Sequence, residues 1–82
     1  MNDDLKLAVE AAIAGEWDRS HRIVQEFNDP IACWIHAVLH KIEGDAGNSR
    51  YWYARAPAAA SYEAYAEAVT ELEAIRQQLN GC

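Results

Sequence analysis

The fold is decided by Pro30-Ile31-Ala32-Cys33-Trp34-Ile35-His36-Ala37-Val38-Leu39-His40-Lys41-Ile42-Glu43-Gly44-Asp45. Ile31, Trp34, Ile35, Val38, Leu39 and Ile42 recur at helical spacing, so this segment is an amphipathic helix with an unbroken apolar stripe. Asp29 precedes a proline and is pushed away from helical angles, and Pro30 suits the first turn of the helix that follows. Gly44 is placed to end that helix, and Asp45 to cap the next.

The same signals recur on either side. Leu5, Ala8, Val9, Ala12 and Ile13 form one face of a first helix, with Asp3 or Asp4 at its start and Gly15 at its end. Trp17, Ser20, Val24 and Phe27 share a face of a second helix, expected from Trp17 to Phe27, with His21 and Ile23 on its edges. Beyond Asp45, a short helix is expected from Ala46 to Ala56, with Ser49, Trp52, Tyr53 and Ala56 on one face and Pro57 as its stop. Ser61 then caps a long final helix carrying Tyr62, Tyr65, Ala66, Val69, Leu72, Ile75 and Leu79, which Asn80-Gly81 closes. The reading is all-α: one domain over residues 1–82 with about five helices. A first hairpin spans 3–28, a second 30–57, and a capping helix 61–80.

Composition agrees with this. The chain of 82 residues is 51% hydrophobic, with three Trp, four Tyr and one Phe, enough for a real core and too apolar for disorder. Thirteen acids against seven bases give a net charge of -6, and the bases are scattered. Such a surface repels phosphate backbones, so nucleic-acid binding is not expected. No apolar run approaches the roughly 20 residues that span a bilayer, so no membrane partner is expected. The start, Met1-Asn2-Asp3-Asp4, is acidic where a secretory signal is basic, which points to the cytoplasm. Cys33 and Cys82 belong to no CxxC pair and read as free thiols of a reducing compartment.

The chain also matches itself at an offset of 29 residues: Ala8 with Ala37, Val9 with Val38, Gly15-Glu16 with Gly44-Asp45, Ser20 with Ser49 and Val24 with Tyr53. Each copy reads as helix, Gly-acid turn, helix, the signature of stacked helical hairpins. In Trp34, Ala37, Gly44, Asp45, Ser49, Tyr53 and Ala56, and in Ala8, Gly15, Ser20 and Val24, the sequence resembles tetratricopeptide or Sel1-like repeats. The resemblance covers residues 3–57 and implies two stacked hairpins closed by the last helix. The offset is shorter than the tetratricopeptide norm of about 34 residues. Two repeats make no long groove, so the last helix is expected to lie against Trp34, Val38 and Ile42 and complete a bundle. A narrower likeness, His36-Ala-Val-Leu-His40-Lys-Ile-Glu43-Gly44-Asp45 followed by Asn48 and Tyr51-Trp52-Tyr53-Ala-Arg55-Ala56, resembles a signature of small bacterial proteins and implies that the segment matters.

The candidate binding residues are His36, His40, Glu43, Asn48, Tyr51, Trp52 and Arg55. His36 and His40 are four apart on one helix, a spacing that can chelate a transition metal. Ala37 stands where the protease motif His-Glu-x-x-His needs its glutamate, so that chemistry is excluded. A third ligand has to be Glu43 or His21. Only two ligands are assured on one face, so neither a metal site nor a cofactor is expected, and zinc is expected to bind weakly. Glu43, Asp45 and Asn48 read as turn and capping residues. Tyr51, Trp52 and Arg55 are of the types that dominate contact surfaces. No GxGxxG or GxxxxGK[ST] loop is present, and no serine sits in a nucleophile elbow. The leading expectation is a non-catalytic helical adaptor with a protein partner or a second copy of itself. The alternative is a small-molecule- or metal-binding protein, or an enzyme, using His36, His40 and Glu43.

Overall fold

A computed structural model describes residues 2–81; Met1 and the expected free thiol of Cys82 lie outside them. Five helices follow in order: α1 (Asn2–Ile13), α2 (Trp17–Val24), α3 (Pro30–Glu43), α4 (Ala46–Tyr53) and α5 (Ala68–Asn80). The described residues contain no strand. The longest apolar stripe belongs to α3, and α3 is the centre of the molecule: every residue from Ala32 to His40 is buried. It packs on α4, α2, α5 and α1, and α1 packs in turn on α2 and α5. No helix among the described residues is long and apolar enough to cross a membrane.

The turns form where the glycines stand. Gly15 and Gly44 both adopt left-handed backbone, φ +84° and +88°, a conformation that only glycine enters without strain. In each turn the residue after the glycine closes a wide loop, Glu16 N–H to the Ala11 carbonyl at 2.8 Å and Asp45 N–H to the His40 carbonyl at 2.9 Å. Each hairpin also carries one buried serine that reaches across to the facing helix. Ser20 donates to the Ala8 carbonyl and Ser49 to the Ala37 carbonyl, both at 2.7 Å. Small residues at Ala8 and Ala37, fully buried, let the helices approach closely enough for these bonds. The two hairpins differ at the cap: the Asp45 side chain accepts from Asn48 N–H, whereas Glu16 makes no such bond.

Three boundaries differ from the expected ones. α2 ends at Val24 rather than Phe27, because Glu26 and Phe27 bond the carbonyls of Ile23 and Val24, three residues back, and wind the chain into tighter turns. α4 ends at Tyr53 rather than Ala56 for the same reason, through Arg55 to Trp52 and Ala56 to Tyr53. The third difference is larger. α5 begins at Ala68, not at Ser61, and residues 54–67 run as irregular chain with short turns at Pro57–Ala60 and Ser61–Ala64. Lys41 explains why: its ammonium takes the carbonyls of Tyr62 and Tyr65, at 2.9 and 3.2 Å, which a helix starting at Ser61 would need as its own acceptors. Tyr62 and Tyr65 still pack against the core from this segment.

α5 lies on α3 and α1, as the capping role requires, and buries Leu72 and Ile75. It covers Trp34 but not the end of the stripe, where Ile42 is 46% exposed. Its docking also buries a charge. Glu71 has no exposed surface. One of its oxygens, Oε2, accepts from Trp34 Nε1 at 2.8 Å and from the Tyr53 hydroxyl at 2.6 Å, and Lys41 Nζ stands 2.9 Å from the other. Burial, and then the carboxylate beside it, push the Tyr53 hydroxyl well above its usual range, so it stays a neutral donor. On the surface, Arg76 of α5 reaches Glu10 of α1 at 3.1 Å; so exposed a pair contributes little.

Candidate metal centre

α3 turns one face toward α2 and α4, and that face carries His36 and His40. Their spacing of four residues puts both imidazoles on one side, with ring centroids 5.0 Å apart. Neither is solvated, as a free polar face would be: both are buried. The third histidine of the chain, His21, arrives from α2. Its ring lies 4.7 Å from that of His36 and 5.5 Å from that of His40. The ligating atoms of all three lie within 4.8 Å of one another.

Two indoles wall the cluster. Trp17, four residues before His21 on α2, stacks on the His21 ring at 4.8 Å and meets His40 edge-on at 5.8 Å. Trp52 of α4 stacks on His36 at 4.0 Å with an interplanar angle of 12°. Trp17 is itself fixed, since its Nε1 donates to the Leu39 carbonyl on α3. The walls therefore come from one helix on each side of α3.

Burial favours the neutral form of His36 and His21. Burial first, and then the neighbouring His21 and His40, lower His36 to a pKa of about 4. Burial and His40 also lower His21, against the opposing pull of Glu43 and Asp18. Neutral imidazole is the form that binds metal. His40 is oriented by a carboxylate: its Nδ1 is 2.7 Å from Glu43 Oε2. Glu43 thus occupies Nδ1 and leaves Nε2 as the ring nitrogen free to bind.

A pH dependence of folding follows from the lowered His36. Unfolded, it titrates at 6.5, and folded at about 4, so the unfolded chain binds the extra proton between these values. The stability that comes from burying a neutral ring is whole above pH 6.5 and is lost as the pH falls toward 4, by at most about 3 kcal/mol. Metal-free protein should therefore lose urea resistance between pH 7 and 5, above the usual carboxylate range. His36→Phe, which can keep the stack on Trp52, should flatten that part of the profile. An equally steep profile in the variant would remove His36 as its source.

The other candidate residues are distributed differently. Asn48 belongs to the α4 cap, its N–H on Asp45 at 3.1 Å and its amide on the same carboxylate at 3.4 Å. Asp45 stands within ligand distance of His40 and Glu43, on an exposed edge. Tyr51 is half exposed, and the Arg55 guanidinium lies 4.1 Å from its ring centroid. The site thus unites His36, His40, Glu43 and Trp52 of the expected residues, adds His21 as the third ligand type, and leaves Asn48, Tyr51 and Arg55 outside. Trp17 was legible only as a core residue of α2. Cys33 stays apart: its thiol donates to the Asn28 carbonyl at 3.6 Å, and burial raises its pKa. Compared with known protein families, curated proteins and solved structures, the chain matches none of them.

Proposed function

We propose that this protein binds a late first-row divalent metal ion, of the zinc class, through His21, His36 and His40. The observation that carries the reading is the convergence of all three histidines of the chain on one point. Three imidazoles on one tetrahedral ion, bonded at about 2.0–2.1 Å, place their ring centroids roughly 5 Å apart. The rings here stand 4.7, 5.0 and 5.5 Å apart. Imidazole nitrogen suits zinc, copper and nickel and not the hard ions magnesium and calcium. Glu43 on His40 supports the reading further, because ligating histidines are ordinarily oriented by such a carboxylate. Among the described residues there is no pocket for an organic molecule.

Thermal unfolding tests this. An ion that binds only the folded chain, present at 100 times its dissociation constant, adds about 2.7 kcal/mol. In so small a domain the midpoint should rise by several degrees or more. Zinc at a small excess should produce that rise, and His21→Ala, His36→Ala and His40→Ala should each abolish it. A cluster that only packs against its two tryptophans would leave the midpoint unchanged.

A second reading, a helical adaptor, has one observation in its favour. The two hairpins share the left-handed glycine, the wide turn bond and the serine-to-carbonyl bond at equivalent positions, as stacked repeats do. Tyr51 and Arg55 would be its contact residues. If the contact is with a second copy, sedimentation of the wild-type chain should show a dimer that Tyr51→Ala disperses; a monomer at every concentration would count against self-association.

A further inference from the structure

Building on the metal reading, we propose that the bound ion keeps a fourth position open to solvent, on the α2 side of the cluster, where it exchanges water for small anions. A closed structural site surrounds its ion with four protein ligands, whereas three protein ligands and a water define an open one. Among the described residues no Cys, Asp or Glu completes the set of His21, His36 and His40. Two candidates on α3 are otherwise engaged, and Asp18 of α2 is exposed and does not group with the three rings. Glu43 is held on Nδ1 of His40, and it groups with Asp45 rather than with His21 and His36. Cys33, one turn before His36 on α3, directs its sulfur to the Asn28 carbonyl.

The direction of the opening follows from burial. His36 and His40 are buried, and Trp52 covers the face of His36 toward α4. His21 is the one partly exposed member of the three. Trp17 flanks it without offering a donor atom, since its only nitrogen carries a hydrogen and spends it on Leu39. The remaining position therefore meets water beside His21, between apolar walls. Walls of this kind weaken screening and strengthen the pull of the ion on whatever oxygen or nitrogen binds it. Because the described residues form no pocket for a larger molecule, the ligand class is water and small anions.

Cobalt(II) loading of the full chain distinguishes this inference from the reading beneath it. Cobalt bound by three imidazoles and a water absorbs in the visible, and the band reports its coordination. Sodium azide added to the loaded protein should shift and intensify the band to a saturating end point, with the protein monomeric throughout. A visible band that azide leaves unaltered would keep the metal site and overturn the open position. A dimer that appears on loading would do the same, by assigning the fourth ligand to a second copy. No visible band at all would remove the metal reading and this inference together.

Discussion

Glu71→Ala is expected to cost about 3–5 kcal/mol, because it leaves the largely covered Lys41 without its counter-ion. Only 12% of the Lys41 side chain is exposed, and the Glu71 carboxylate stands 2.9 Å from its ammonium. The same change strips Trp34 Nε1 and the Tyr53 hydroxyl of their shared acceptor. A domain of this size has a total stability of roughly 4–12 kcal/mol, so the variant should lose at least about a quarter of it. Glu71→Gln separates the two contributions: its amide oxygen can still accept from Trp34 and Tyr53, so the remaining loss reports the charge. Urea unfolding followed by circular dichroism makes the comparison. Wild-type stability in Glu71→Ala would show that the ion pair does not hold α5 and residues 54–67 to α3.

Trp34→Ala should cost a similar amount, about 3–5 kcal/mol, for a different reason: it opens a cavity in the middle of the α3 stripe. Trp34 is 7% exposed and lies under α5. Trp34→Phe keeps most of the packing and removes only the donor to Glu71, a hydrogen bond to a charged group worth about 1.5–3 kcal/mol. The two residues share one hydrogen bond, so the Trp34→Phe and Glu71→Ala losses should not add. Additive losses would mean that the hydrogen bond from Trp34 to Glu71 carries no energy of its own.

The helices were legible because each has a periodic apolar face and explicit punctuation. The α3 stripe, Pro30 at its start and the left-handed Gly44 at its end fix that helix without tertiary information. The residues around α5 show where local pattern stops. Tyr62 and Tyr65 sit at helical spacing with Val69 and Leu72, yet Lys41, more than 20 residues away, takes their carbonyls and holds the chain out of the helix. Glu71 left a signal, since it lies four residues before Ile75 and next to Leu72 and so falls on the buried face of α5. Its partners, Lys41, Trp34 and Tyr53, come from two other helices; periodicity places Trp34 under the last helix but pairs none of them with Glu71.

The candidate site divides in the same way. The pair His36 and His40 is local, a matter of helical spacing. Its completion by His21 depends on how α2 crosses α3, and that crossing depends on bonds such as Trp17 to Leu39, which no spacing reveals. The sequence therefore assures two ligands and predicts weak zinc binding, and the folded chain brings up a third. The walls have the same origin: Trp52 reads first as core, with a contact surface as the alternative, until α4 is seen to lay it on His36.

X-ray absorption of the zinc-loaded chain tests the central claim most directly. Three histidines on one ion should give a first shell of nitrogen and oxygen at about 2.0–2.1 Å, with multiple scattering that counts three imidazoles. The count should drop to two in His21→Ala. A wild-type spectrum with one imidazole or none, or one that His21→Ala leaves unchanged, would contradict the account.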